Sequence, residues 1–298
     1  MSTDLALEDL IRRALQEDLG GIGDITTRAT VPTDATGTAH VVARENGVLS
    51  GSRCVTTAFA LVDPELQVHW SAADADAVGP GQVVATITGS ASSILTGERV
   101  GLNLLSHCSG IATRTAGFVA LVDGTGTRIA DTRKTTAGLR AMEKQAVVHG
   151  GGINHRFGLF DAIMVKDNHI GLGGGLDAVL RRLARHTGHL TRVQVEVDTI
   201  AQLQRVLAFD NERTGSGLTP VVHAVLLDNM TPDQIADGAA LVGKHPAPVV
   251  VEVSGGVNER SVRALAEAGA DVISIGALTH SVRELDFGLD LRGSVGGR

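Results

Sequence analysis

Apolar residues recur along this chain in two different rhythms. Near the start, Leu7, Leu10, Ile11, Ala14 and Leu15 fall on one face of a helix over residues 4–19, and the turn LGGIGDITT ends it. Short β-like runs follow: TAHVVARENGVLSG, LQVHW and QVVATITG. Gly and Pro punctuate them, as in VGPGQ, so they predict a small sheet with tight turns. Residues 53–62 read as a short helix between these runs. From Thr96 to about Val122 the pattern is helical again, with Leu102, Leu105, Ile111 and Ala112 facing inward. Gly110 marks a kink there, or a boundary between two helices.

The second rhythm alternates apolar runs with helical segments. The runs lie at 127–130, 161–165, 192–197, 221–227, 247–253 and 271–275. The helical stretches are 138–149, 176–186, 199–209, 232–243 and 258–269. Such alternation predicts βα units on a parallel sheet, and near-continuous apolar strands fit burial on both faces. A closed eight-stranded barrel takes about 250 residues, whereas this half has about 150, so an incomplete or open barrel is expected. Polar residues follow each run. They are Asp131 and Arg133; Lys166, Asp167 and Asn168; Glu196 and Asp198; Asp228 and Asn229; Ser254, Gly255 and Gly256; and Gly276. In a parallel barrel these positions share one rim, where active sites form.

Charge sharpens this picture. The chain is formally −7, yet the stretch from Asp131 to His169 carries Arg133, Lys134, Arg140, Lys144, Arg156 and Lys166, with three histidines among them. Apolar residues and glycines interleave with these cations, as on separate elements that converge. Such a site suits a small polyanion. The negative balance and 2% aromatic content argue against a nucleic-acid partner. Cys54 and Cys108 make no disulfide framework or metal-spaced pair, and read as buried thiols in a reducing compartment. The acidic, amphipathic N-terminus is unlike a signal peptide, and no apolar run approaches the ~20 residues that span a bilayer. A soluble cytoplasmic protein is expected, without a membrane partner.

Several residues admit a bland reading beside a chemical one. VSGGV and SIGAL look like a phosphate cradle, with a helix starting near Val257 or Asn258; they could also be ordinary βα turns. Glu196 and Asp228 are candidates for Mg²⁺, or Glu196 pairs with a cation such as Lys134. Lys166 could form a Schiff base or anchor a carboxylate, and the neighbouring Arg133, His155 and Arg156 favour the anchor. His107, His223 and His245 are assigned structural or surface roles, and Arg99 reads as a surface residue or a helix-end ion pair.

Taken in order, EDLGGIGDITT, GERVGLNLLSHCSGIAT, DTRKTTAGLR, GGGINHRFGLFDAIMVKDNH, VEVD, LLDN, EVSGG and GADVISIGALTHS resemble the quinolinate phosphoribosyltransferases, also called nicotinate-nucleotide pyrophosphorylases (carboxylating). The resemblance implies an N-terminal α/β sandwich, similar to a barrel-sandwich hybrid, over 1–112. An incomplete parallel α/β barrel with a phosphate site would cover 113–278, and a tail over 279–298 would return to the first domain. It implies a homodimer or higher homo-oligomer with shared active sites, and a reaction of quinolinate with phosphoribosyl pyrophosphate that yields nicotinate mononucleotide, CO₂ and pyrophosphate in NAD synthesis. By similarity, Arg133, His155, Arg156 and Lys166 would hold quinolinate, with the partner subunit's Arg99, which revises the surface reading. Lys134 would lie near the sugar or pyrophosphate. Glu196 and Asp228 would serve the ribose hydroxyls and Mg²⁺. Lys134, Lys166, Glu196 and Asp228 form the implied catalytic set, and Ser254, Gly255, Gly256, Gly276 and Ala277 would cradle the 5-phosphate. One departure is Ala137, where the family usually has Pro; this affects loop stiffness and leaves the charged groups in place. Competing readings are a paralogue of the same fold with another acceptor, a Schiff-base aldolase using Lys166, and a non-catalytic phosphate sensor.

Overall fold

The computed structural model describes residues 2–292. Residues 293–298, the end of the expected tail, lie outside the described residues. In chain order the elements are α1 (Ser2–Leu19), α2 (Ile25–Thr30), β1 (Thr36–Ala43), β2 (Gly47–Val48), α3 (Ser52–Val62), β3 (Gln67–Trp70), β4 (Ala77–Val78), β5 (Val83–Ser90) and α4 (Ala91–Leu121). Then come β6 (Arg128–Ala130), α5 (Arg140–His149), β7 (Ile163–Val165), α6 (Asp167–Leu172), α7 (Leu176–His186), β8 (Val193–Val197) and α8 (Ile200–Gly215). The chain continues with β9 (Ala224–Asp228), α9 (Pro232–Val242), β10 (Val250–Ser254), α10 (Val262–Glu267), β11 (Val272–Ser274), α11 (Ala277–His280) and β12 (Phe287–Arg292). They form two compact units: 1–116 with 134–152 and 277–298, and 117–133 with 153–276. Among the described residues no helix is long and apolar enough to cross a membrane.

The first unit is built on a four-stranded sheet in the order β12-β1-β5-β3. Its strands pair antiparallel, with Val41 opposite Ala85 on one side and Leu289 on the other. Alternation places Ala39, Val41 and Ala43 of β1 and Ala85 and Ile87 of β5 in one buried layer. Val55 and Phe59 of α3 and Ile94, Leu102 and Leu105 of α4 complete that core. Gly110 is not a boundary between two helices, because α4 runs unbroken from Ala91 to Leu121. Gly110 is required by close approach instead: a Cβ there would lie 2.4 Å from the carbonyl oxygen of Arg283 and 3.0 Å from the Cα of Glu284.

The second unit is a six-stranded sheet ordered β6-β11-β10-β9-β8-β7. Every adjoining pair is parallel. This order is the chain order rotated by one strand, as in a barrel left open between β6 and β7. Beside β6 the gap is partly filled by Ile153, which bridges Ala130 in parallel. Local sequence sets two helix starts. Thr199 and Thr231 cap α8 and α9, each reciprocated by the Gln three residues on, and Pro232 opens α9. α8 extends six residues past the expected end at 209 and includes buried Asp210, whose carboxylate accepts N–H bonds from Val221 (2.9 Å) and Val222 (2.8 Å). Burial of a carboxylate requires such donors, and these two fix the entry to β9.

Gly110→Ala provides a test with an informative sign. Helix propensity alone would stabilise the variant by about 0.5–1 kcal/mol, whereas contact with the 282–284 backbone should destabilise it by roughly 1–3 kcal/mol. Urea denaturation should show the loss.

Candidate active site

The rim begins on β8, where all five residues are buried. Alternation puts Gln194 and Glu196 on one face and three valines on the other. Glu196 Oε2 lies 2.6 Å from Lys166 Nζ. Lys166 follows β7 directly and precedes α6, a helix the apolar pattern does not predict. Its backbone N–H donates to His169 Nδ1 at 2.9 Å, which fixes the strand-to-helix turn. The lysine side chain is 45% exposed and its carboxylate partner only 10%, so the ammonium sits at the rim above a buried anion.

The ends of β9 and β10 adjoin, with Asp228 opposite Ser254. Asp228 Oδ1 accepts from Ser254 Oγ at 2.9 Å, and Oδ2 accepts from Asn229 Nδ2 at 2.7 Å. Gly255 has φ +94, and a Cβ there would lie 2.2 Å from Asn229 Oδ1. Only glycine fits this position. Gly256 has φ +60 and open space around it. The expected helix does not start at Val257 or Asn258. Asn258 Oδ1 accepts from the N–H groups of Arg260 (3.0 Å) and Ser261 (3.2 Å), holding a turn, and α10 begins only at Val262. Gly255 and Gly256 are therefore followed by a turn rather than directly by a helix N-terminus.

Beyond β6, Asp131 is wholly buried and its Oδ1 accepts from the His155 N–H at 2.8 Å. This bond, with the Ile153 bridge, sets the segment that carries His155 and Arg156. The Arg156 Nη1 donates to the Ala162 carbonyl at 3.0 Å. The Nε atoms of Arg133 and Arg156 are both buried without a hydrogen-bond partner. Burial, and then the nearby Arg133 charge, push the Arg156 guanidinium below its ordinary pKa, against a smaller pull from Asp161. Asp161 in turn accepts from the N–H groups of Phe157 (2.6 Å) and Gly158 (2.9 Å). Burial raises its carboxyl pKa, but those N–H bonds outweigh the effect and hold it below the usual value. Two like charges in mutual repulsion, each with an unmet buried donor, are what an anion of matching geometry would relieve.

Residues 24–109 match the model of the quinolinate phosphoribosyl transferase N-terminal domain, and residues 111–290 match that of the C-terminal domain. The chain is 40% identical over 291 residues to a nicotinate-nucleotide pyrophosphorylase [carboxylating] of Mycobacterium leprae, covering 96% of this chain and 97% of that one. It is 37% identical over 287 residues to a probable nicotinate-nucleotide pyrophosphorylase [carboxylating] of Bacillus subtilis, covering 96% and 94%. The solved nicotinate-nucleotide pyrophosphorylase of Francisella tularensis superposes with a TM-score of 0.88 at 32% identity, over 97% of each chain. The chain belongs to the quinolinate phosphoribosyltransferase family.

Of the residues that the family likeness singles out, Arg133, His155, Arg156, Lys166, Glu196, Asp228, Ser254, Gly255, Gly256 and Gly276 belong to the barrel unit, and Arg99, Lys134 and Ala277 to the sheet unit. Arg99 is exposed on α4, with Nη2 3.6 Å from Glu98. The Lys134 carbonyl accepts from Thr279 Oγ1 of α11 at 2.8 Å, and Ala277 opens that helix. His107 has the structural role expected of it: its Nε2 lies 2.9 Å from Oε1 of buried Glu143, whose Oε2 accepts from the Thr136 N–H at 3.1 Å. The family's Pro would stand at exposed Ala137, next to that anchored residue. His223 Nδ1 accepts from the Val193 N–H at 3.2 Å, and burial followed by the Arg192 charge lowers its pKa. Sequence reading missed Gln194, Glu252 and Asp161. The Q-x-E alternation inside RVQVEV was the available signal for Gln194, because a polar side chain two positions before a strand end shares the face of the rim residue.

The crowded arginines predict an unusual stability effect. Arg133→Met keeps the aliphatic stem and removes the repulsion, so without ligand it should unfold at the same temperature as the parent or higher. The expected gain is on the order of 0.5–1 kcal/mol after solvent screening. A clearly lower midpoint in thermal denaturation would make Arg133 a structural cation instead of a waiting clamp.

Proposed function

We propose that this chain is a quinolinate phosphoribosyltransferase, converting quinolinate and phosphoribosyl pyrophosphate to nicotinate mononucleotide, CO₂ and pyrophosphate. The observation that carries the reading is the pair of buried, unpartnered guanidinium Nε atoms on Arg133 and Arg156 in a chain of net charge −7. A doubly negative pyridine meets that demand, because each carboxylate accepts two forked donors. Lys166 adds a rim cation, and His155 stands beside Arg156 in the chain.

In the first step the pyridine nitrogen attacks the ribosyl C1, and the C1–O bond to pyrophosphate breaks with its electron pair on the leaving oxygen. In the second, the C2–carboxylate bond breaks, CO₂ departs, and the electron pair stays on C2 beside the now cationic nitrogen. A proton from solvent completes the product. No protein nucleophile is needed; the residues supply orientation and a fixed field. Lys134 would face the leaving anion, and Ser254, Gly255, Gly256, Gly276 and Ala277 would cradle the 5-phosphate. Family likeness alone supports that assignment for Lys134 and Ala277.

Glu196 and Asp228 are hard oxygen donors on adjoining strands, and among the described residues no group of three or more His, Cys, Asp or Glu could hold a metal ion. Two carboxylates fit Mg²⁺ that arrives with substrate phosphates and keeps water as ligand. So held, Mg²⁺ would supply Lewis-acid stabilisation of the departing pyrophosphate. The likeness further implies homo-oligomers in which the partner subunit's Arg99 completes each site. The two free, buried cysteines suit a reducing cytoplasm.

A coupled assay for nicotinate mononucleotide should report turnover of quinolinate that stops on chelation and resumes with magnesium. Arg133→Met should lower kcat/KM by about a hundredfold or more, since each charge-assisted bond is worth about 1.5–3 kcal/mol. Full activity in that variant would remove the clamp. For the shared site, mixing Arg99→Ala with Lys166→Ala subunits should restore part of the activity lost in each; two inactive proteins that stay inactive when mixed would argue for self-contained sites.

A further inference from the structure

One inward position below the rim, polar side chains from two strands and a loop meet. Gln194 of β8 and Glu252 of β10 are both buried. Gln194 Nε2 donates to Glu252 Oε2 at 2.7 Å. Gln194 Oε1 lies 3.0 Å from His155 Nε2. Glu252 Oε1 lies 3.4 Å from the same ring nitrogen and makes no hydrogen bond of its own, so the His155 proton goes to Gln194 while the carboxylate acts as a near charge. On the other side of the ring, Nδ1 accepts the Arg156 N–H at 2.7 Å.

These contacts run in one direction. Because Glu252 Oε2 accepts from the NH₂ of Gln194, the carbonyl oxygen of that amide is turned toward His155. That oxygen demands a proton on Nε2. The Arg156 N–H demands a lone pair on Nδ1. Both demands are met by one tautomer, neutral with Nε2–H. Packing does not supply this order. A cavity of about 330 Å³ at the strand-starting end of the barrel, beside Ile163, Val193, Ala224 and Val250, reaches His155, Gln194 and Glu252, and Arg156 and Asp161 line it too. Glu196, Asp228 and Ser254 lie further along the same strands, at their C-terminal ends. The three side chains therefore border open space on one side, and their hydrogen bonds help to hold them.

We infer that Glu252 and Gln194 are positioning residues for quinolinate binding: together they impose the Nε2–H tautomer on His155, and through its Nδ1 they fix the backbone of Arg156. Neither residue touches substrate in this scheme. In Glu252→Gln the partner can offer either a donor or an acceptor, Gln194 can turn over, and His155 loses its single proton arrangement. This inference rests on the proposed function only for the identity of the ligand.

The experiment is ¹⁵N spectroscopy of the histidine rings in the full-length protein, with the His155 signals assigned by their loss in His155→Asn, beside steady-state kinetics. The parent should show the Nε2–H tautomer, and Glu252→Gln a mixture. In that variant KM for quinolinate should rise about tenfold, the worth of one charge-assisted hydrogen bond, with KM for phosphoribosyl pyrophosphate nearly unchanged. Gln194→Leu should move the same two readouts, and Glu252→Asp should restore the tautomer in part. An Nδ1–H or doubly protonated ring in the parent overturns the inference even if no variant folds. So does an unchanged His155 signal in Glu252→Gln, or an equal rise in both KM values. If the parent does not turn over quinolinate, the proposed function fails, and the ring signals still decide the positioning claim.

Discussion

Two half-buried guanidinium groups whose charges repel, each with a buried Nε that has no hydrogen-bond partner, set the terms for the barrel unit. Placing like charges together away from water costs free energy that the fold must recover elsewhere. It does so through short-range directional bonds. Asp131 holds the His155 N–H, the Ala162 carbonyl takes the Arg156 Nη1, and Asp161 accepts from the turn between them. None of these neutralises the cluster fully. What remains unmet is a demand for negative charge, and the proposed recognition of a dicarboxylate rests on it.

The same logic explains the rim opposite. Glu196 is answered by Lys166, and Asp228 by Ser254 and Asn229, so the carboxylates on β8 and β9 are satisfied in the resting protein. These two carboxylates differ in that respect from the Nε atoms of Arg133 and Arg156, which have no partner. Parallel strands make it possible, since each contributes one residue to the same rim and the backbone ladder fixes their heights. The opening between β6 and β7 then admits the 153–156 segment, which brings His155 and Arg156 to a position no regular strand would supply.

Much of this was legible in the chain. The apolar runs located all six barrel strands within a few residues, and the polar residue after each run marked the rim. Length alone argued for an incomplete barrel. Other elements were not legible for identifiable reasons. α6 follows Lys166 without a linker, and its six residues, DNHIGL, are too few to show a helical period. β12 pairs with β1 across more than two hundred residues of chain, so no local signal announces it. Gly110 looked like a helix breaker because a sequence shows only that glycine is present; here the missing Cβ makes room for the 282–284 backbone.

What the amino-acid sequence determined by itself was the class of chemistry: a concentrated set of cations on βα units within an acidic chain, with glycines where an anion's oxygen atoms would need bare backbone. These are matters of composition and period, carried by neighbours along the chain. The tertiary structure alone decided which charges are answered. Lys166 pairs with Glu196, Arg133 crowds Arg156, and Gln194 links Glu252 to His155, and each of these contacts joins residues from different strands or loops. Pairing depends on distances of a few ångströms between groups far apart in sequence, and only the folded register of the strands fixes those distances.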